Sequence, residues 1–219
     1  MPKIEHMDLS CRVYETLKAM ILSGKLVPGQ KIVQMKLAEE IGVSRTPLLK
    51  ALNKLEHEFL VESVPRRGML VKKMSLEEII DAFDCREGLE GIAARLVAQH
   101  ITEKQLNRLK DLFLPFKESL GRIVEKKYVQ ADQKFHRLLI DYSDNRIIRR
   151  IEMLGNVHLI CYNRGLIRSP HETLPEHFGI IEAIEQGDGD LAEQRLKSHL
   201  HRSRNVVAES LIAGHRSAG

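Results

Sequence analysis

Between Ile41 and Val71 the spacing of apolar residues changes from helical to alternating within a few positions. A chain meets that change by running a helix straight into a short hairpin. Leu48, Leu52 and Leu55 recur at helical spacing and can face a core, while Arg45, Lys50 and Lys54 lie off that stripe. Ser44 offers a helix N-cap side chain, and Pro47 falls in the first turn, where a missing N–H costs nothing. After Glu58, the residues Leu60, Glu62 and Val64 follow a period of two. Pro65-Arg66-Arg67-Gly68 forms a basic turn, and Met69-Leu70-Val71 returns as a second strand. A helix able to enter a DNA groove, joined to a hairpin tipped by two arginines, predicts a winged helix-turn-helix.

The preceding residues complete a three-helix head. A first helix is expected from about Asp8 to Ser23, with Val13, Leu17, Met20 and Ile21 buried. Gly24 suits its C-cap, and LVPGQ reads as a turn. A short second helix covers Met35 to Glu40, with Leu37, Ala38 and Ile41 inward, and Gly42 makes the turn into the next helix. The boundary falls near Lys73-Met74, so residues 1–74 are expected to form the DNA-binding domain. They hold 13 Lys and Arg against 8 Asp and Glu, whereas residues 75–219 hold 21 against 22. The positive excess therefore sits where phosphate contact needs it. An excess of that size also lies within ordinary surface variation, so charge supports the reading without carrying it.

Cys11, Cys85 and Cys161 are far apart and form no CxxC pair, which argues against a disulfide framework and a zinc ribbon. No apolar run approaches the roughly 18 residues that span a bilayer, and the N-terminus lacks the apolar stretch of a signal peptide. A cytoplasmic protein with reduced thiols is expected.

From Ser75 onward the signals are helical. Ser75 with Glu78, Thr102 with Gln105, and Asp190 with Glu193 each match a capping box. About six helices are expected, over 75–99, 102–120, 124–143, 145–168, 175–186 and 190–212, with Pro115 either kinking the second or marking a false assignment. Short links between long helices predict an antiparallel all-α bundle for residues 75–219. The fold class is thus mainly α.

Eight of the ten histidines lie in this bundle. Asp132 and His136 are four residues apart, which puts both on one helix face. His177 and His199 lie on successive helices joined by EQGDGD. His177 is nine residues before the turn, a rise of roughly 13 Å, and His199 eight residues after it, roughly 12 Å. In antiparallel helices the two imidazoles finish at nearly the same height. Three imidazoles and a carboxylate form a set suited to zinc, nickel or another borderline metal. The same spacing also serves a plain Asp–His hydrogen bond, and a single helical histidine is often structural. His171, in a proline-flanked loop, competes with His177 as a ligand; His100, His158 and His201 have no comparable geometry.

The chain resembles the GntR-type transcriptional regulators of the FadR branch, which carry an all-helical FCD effector domain. The resemblance rests on LVPGQKI, KLAEEIGVSRTPL and LVESVPRRG in the first half. In the second half it rests on FDCREGLEGIAARLVA, ADQKFHRLLIDYSDN, PEHFGIIEAIEQGD and RLKSHL. It implies that Asp132, His136, His177 and His199 hold a divalent metal, zinc foremost, with nickel or manganese as alternatives. It further implies that the metal helps hold the carboxylate of a small organic-acid effector. Arg86 matches a position commonly basic in the family and would line that pocket; an ion pair with Glu90, one turn on, is the equal alternative. On the DNA side, Arg45 matches an arginine that reaches bases. Ser44 and Thr46 suit phosphate contacts at a helix N-terminus. Arg67 and Gly68 match the wing tip, where charge and a small profile admit the chain to the minor groove.

Two departures stand out. Met35 and Leu49 replace arginines usual in the family, leaving Lys36 and Lys50 beside them to supply phosphate contact, and Arg66 makes the wing more basic than usual. A different operator is expected. The reading is a homodimeric, metabolite-responsive regulator, most simply a repressor, binding double-stranded operator DNA, and not an enzyme. The rival readings are an all-helical metal-dependent hydrolase with an accessory nucleic-acid-binding domain, and a DNA-binding dimer whose bundle is purely structural. No convincing general base accompanies the ligand set, which weighs against the hydrolase.

Overall fold

The computed structural model describes residues 9–117, 123–150, 160–161 and 164–217, and the chain separates into Met1–Met74 and Ser75–Gly219. In the first unit α1 is Leu9–Leu22, α2 Gln34–Ile41 and α3 Arg45–His57, followed by β1 Val61–Val64 and β2 Gly68–Val71. Leu17 from α1 and Leu48, Leu52 and Leu55 from α3 are fully shielded at the centre of its core. Val13, Met20 and Ile21 are buried as the α1 stripe requires, and Tyr14 joins them.

β1 and β2 pair antiparallel, Val61 opposite Val71 and Val64 opposite Gly68. The LVPGQKI segment does more than turn. Lys31 bridges Leu70, and Ile32 N–H donates to the Met69 carbonyl at 2.8 Å, covering an edge that would otherwise lack partners. Gly42 takes the left-handed conformation (φ 69°) that the helix-to-helix turn needs. Ser44 does occupy the N-cap position of α3 in extended conformation, but its side chain makes no capping hydrogen bond. Lys54 lies 3.7 Å from the centre of the Tyr14 ring, and Tyr14 donates to Glu58 at 2.6 Å, so this end of α3 is tied to α1.

In the second unit α4 is Leu76–His100, α5 Glu103–Lys117, α6 Glu125–Tyr142, α7 Arg146–Arg150, α8 Pro170–Glu185 and α9 Gly189–Ser217. α4 packs chiefly along α9, while α6 lies against α4 and α5, and α8 against α5, α9 and α4. The Ser75–Glu78 capping box forms in full, and Thr102 and Gln105 exchange the equivalent bonds. Each such pair contributes about 1 kcal/mol. The expected Asp190–Glu193 box does not form. α9 begins one residue early, at Gly189, so Asp188 becomes the cap and accepts from Leu191 N–H at 2.9 Å.

Two further expectations need correction. The helix expected over 145–168 does not reach its far end. Gly165 is left-handed (φ 67°) and residues 166–169 are non-helical. Pro170 explains part of this, because it disfavours helix at the residue before it. Residues 151–159, with His158, lie outside the described residues, as do Asp8 and 118–120 of the expected helices. α8 starts at Pro170 rather than Pro175. Ser169 caps it by accepting from His171 N–H at 3.2 Å, and Pro170 takes the first helical position. Pro115 sits in the last turn of α5 without ending it. Among the described residues, no helix is long and apolar enough to cross a membrane.

Candidate metal centre and nucleic-acid face

α6 carries Asp132 and His136 one turn apart on its buried face, α8 supplies His177 and α9 supplies His199. All four are at least 96% buried, and one ligand atom from each lies within 4.8 Å of the others. His171 is exposed and stands outside the cluster, and His201 pairs at the surface with Glu87.

The outer partners fix which nitrogen of each ring points inward. His136 Nδ1 lies 2.5 Å from Glu90 Oε2, and His199 Nδ1 lies 2.8 Å from Glu176 Oε2. A carboxylate accepts only, so both Nδ1 atoms donate and, in the neutral rings, both Nε2 atoms present lone pairs. The third ring follows from a chain of hydroxyls. Thr173 donates to the Ser169 carbonyl at 3.2 Å, so its oxygen accepts from Tyr128 at 2.8 Å. The Tyr128 proton being used, its oxygen accepts from His177 Nδ1 at 3.0 Å. His177 Nε2 therefore also presents a lone pair, 2.6 Å from Asp132 Oδ1.

With all three rings neutral, three lone pairs and a carboxylate thus converge with no donor among them. The buried His136 Nε2 has no hydrogen-bond partner among the described residues. Only a cation or a shared proton balances such a set. The donor set, its burial and the anchored Nδ1 atoms fit a tetrahedral or octahedral divalent ion. Phe113 stacks on His177 at 4.3 Å between ring centres and Phe135 meets it edge-on at 5.1 Å, which keeps that side dry.

Electrostatics distinguish the histidines. Burial lowers the His199 pKa to about 3, and the neighbouring His177 and His136 charges add to this against the opposing bond to Glu176. Burial also works against a charged His136, yet the Glu90 charge, the bond to Glu90 and the nearby Asp132 carboxylate raise it to about 9. Glu90 is held down at about 2 against its own burial, chiefly by Arg86 and His136.

Arg86 forms the ion pair with Glu90, Nε to Oε1 at 2.6 Å, and is 2% exposed. Its Nη1 has no hydrogen-bond partner among the described residues. A cavity of about 20 Å3 adjoins the centre, lined by Asp132, His199, Phe83, Tyr128, Ile167 and Arg168 among others. Arg168 is a residue that sequence reading missed. It grips Glu176 through both terminal nitrogens at 2.7 Å. Glu176, Tyr128 and Thr173 were missed as well. Tyr128 lies four residues before Asp132, so helical spacing alone offered a signal for it; Thr173 and Phe113 had none.

In the head, Ser44, Arg45 and Thr46 are exposed at the start of α3, with Lys50 exposed in its second turn. Arg45 leans on Gln34 of α2 (Nη2 to Oε1, 3.4 Å). Arg66, Arg67 and Gly68 are exposed at the hairpin tip. Arg67 N–H closes the turn on the Val64 carbonyl at 3.1 Å, and Arg66 takes φ 63°, where glycine is usually favoured. Met35 is 70% exposed beside Gln34, and Leu49 is half-buried.

A family model described as FCD domain matches residues 81–202, and one described as Bacterial regulatory proteins, gntR family, matches residues 9–71. HTH-type transcriptional regulator YdhC of Bacillus subtilis (strain 168) is 28% identical over 205 residues, 92% of each chain. HTH-type transcriptional repressor RspR of Escherichia coli (strain K12) is 26% identical over 201 residues, 90% of this chain and 88% of that one. Among solved structures, E. coli McbR/YncC superposes with a TM-score of 0.76, covering 94% of this chain and 99% of that one. At 19% identity that likeness speaks for the fold alone.

Proposed function

As a member of the GntR family of bacterial regulatory proteins that carries an FCD domain, the chain is a DNA-binding transcriptional regulator, and we propose that its helical unit senses a small carboxylate through a bound divalent metal. The family and the relatives are regulators rather than enzymes. The observation that carries the metal reading is the convergence of three Nε2 lone pairs on the Asp132 carboxylate, each imidazole anchored through its other nitrogen.

Asp132, His136, His177 and His199 would hold the ion, zinc foremost, with nickel or manganese as alternatives. Bound there, it would supply Lewis acidity toward a carboxylate oxygen. Arg86 is neutralised by Glu90, and its Nη1 is without a hydrogen-bond partner among the described residues. Ser44, Arg45, Thr46 and Lys50 address the major groove and its phosphates, and Arg66, Arg67 and Gly68 the minor groove. Two copies of the chain, as a homodimer in the cytoplasm, read a pseudo-palindromic operator with one recognition helix per half-site. The effector acts by binding one arrangement of the two heads better than another, and repression relieved by ligand is the simplest sign. RspR, by its name a repressor, supports that sign.

The test is operator DNA selected from random sequence, followed by its retention on metal-loaded protein with and without added organic acids. An acid that binds and changes DNA affinity is the expected result. Acids that neither bind nor change retention would remove the sensor from this account.

The metal should compete with a proton. His136 holds its proton up to about pH 9, and a ligating imidazole must be neutral. Binding at pH 7.5 should therefore expel about one proton, and affinity should rise roughly tenfold per pH unit until about pH 9, then flatten. Calorimetry in two buffers of different ionisation enthalpy reads the proton count; a count of zero would move the proton elsewhere.

A further inference from the structure

The cavity beside the centre, about 20 Å3, has room for one or two water molecules and no metabolite-sized acid. Asp132 and His199 form one wall, and Leu166, Ile167 and Arg168 form another. That second wall is non-helical and is fastened by Arg168, whose side chain is 8% exposed. Arg168 grips both oxygens of Glu176 at 2.7 Å and touches Glu172 at 3.1 Å. A ligand entering through this wall must displace it, and the paired bonds from Arg168 to Glu176 hold the wall in place.

Release leaves no bare charge. Glu176 keeps His199 Nδ1 at 2.8 Å and Arg202 at 2.6 Å, and Arg168 keeps Glu172. An arriving carboxylate offers Arg168 the same two-oxygen partner it now takes from Glu176. We propose that Arg168 is the effector's carboxylate receptor, exchanging Glu176 for a small monocarboxylate and carrying Leu166 and Ile167 aside. This inference rests on the metal-and-carboxylate reading above.

Charge selects the monocarboxylate. Around the centre the buried carboxylates of Asp132 and Glu90 and the half-buried one of Glu176 face the guanidiniums of Arg86 and Arg168, while the exposed Arg202 and Glu172 cancel each other. A divalent cation leaves one positive charge in excess. One carboxylate neutralises it; a second would be buried without a counter-ion. Arg86 does not line the cavity and is held by Glu90.

The test uses the full chain loaded with cobalt(II), whose visible spectrum reports ligands reaching the ion, titrated with acetate, propionate and succinate, with calorimetry alongside. Wild type should bind propionate roughly tenfold or more tighter than succinate. Arg168→Gln should keep cobalt affinity within about threefold and lose roughly tenfold or more in propionate affinity. Arg168→Lys, with the charge but without the two-pronged geometry, should fall between them.

A glutamine variant that binds propionate as well as wild type, or better, overturns the proposal, since Arg168 would then be a fastening only. If the glutamine variant also loses cobalt, the lysine variant decides: propionate affinity equal to wild type, or loss of cobalt there too, overturns it. Tighter succinate than propionate overturns the monocarboxylate class. A wild-type chain that takes cobalt and binds none of the three acids sinks the effector reading itself, which separates the two failures.

Discussion

Stripping metal with a chelator should lower the thermal midpoint of the helical unit by roughly 8–16 °C, and His177→Ala should make that midpoint insensitive to metal. The size follows from linkage. A ligand that binds only the folded state contributes about 4 kcal/mol at a free concentration about a thousand times its Kd. In a unit of this length each kcal/mol moves the midpoint by roughly 2–4 °C. Unfolding disperses ligands drawn from α6, α8 and α9, so little affinity survives in the unfolded chain. His177 is the informative position because it is fully buried, stacked on Phe113 and bonded to Tyr128. Its loss also leaves a cavity, so the absolute midpoint falls for reasons unrelated to metal. The diagnostic is the difference between metal-loaded and chelated samples of the same variant. Asp132→Asn, which keeps shape and removes charge, should shrink that difference without abolishing folding. Calorimetry showing no shift of the wild-type midpoint with saturating zinc, nickel or manganese would leave the four residues as a buried polar network and nothing more.

How much of this was legible beforehand depended on how local each feature is. The winged head rested on two periods and a basic turn, all carried by neighbouring residues, and Leu17, Leu48, Leu52 and Leu55 at the centre of its core are leucines that spacing singled out, whereas Leu26, read as part of a turn, was not. The convergence of Asp132, His136, His177 and His199 was legible for the same reason. One pair is a helical turn apart, and the other pair could be placed by counting rise along two helices. The start of α8 was misplaced because two prolines competed for the first turn. Ser169, as cap, decides for Pro170. Arg66 in a left-handed turn position was invisible because sequence rules put glycine there. Its presence costs roughly 1–2 kcal/mol, and the side chain, not the backbone, must account for it. Glu176, Arg168 and the bond from His136 to Glu90 were the hardest to foresee. Their roles depend on which nitrogen of a distant histidine they hold and on a wall formed by residues 166–168. Those are properties of packing between helices, and no spacing within one helix encodes them.

Arg45→Ala and Arg67→Ala should weaken operator binding in two different ways, and the contrast tests the DNA-contact assignment more sharply than either loss alone. Arg45 is exposed at the first position of α3, with its guanidinium 3.4 Å from Gln34 Oε1. A bidentate contact with guanine O6 and N7 contributes roughly 1–3 kcal/mol of discrimination. With one such contact per half-site, a homodimer should lose roughly 2–6 kcal/mol on its own operator. Non-specific affinity should change far less, so the specificity ratio should collapse. Arg67 is exposed at the hairpin tip, where the proposed contact is with phosphate or the narrow groove. Its removal should weaken binding to all sequences alike and reduce the slope of log K against log salt by about 1 per head. Titrations of operator and random duplex at three or more salt concentrations separate the two outcomes. An Arg45→Ala protein that keeps its preference for the operator would mean that bases are read elsewhere. Exposed Met35, adjoining Gln34, would then be the first residue to examine, because an apolar side chain can read only a thymine methyl.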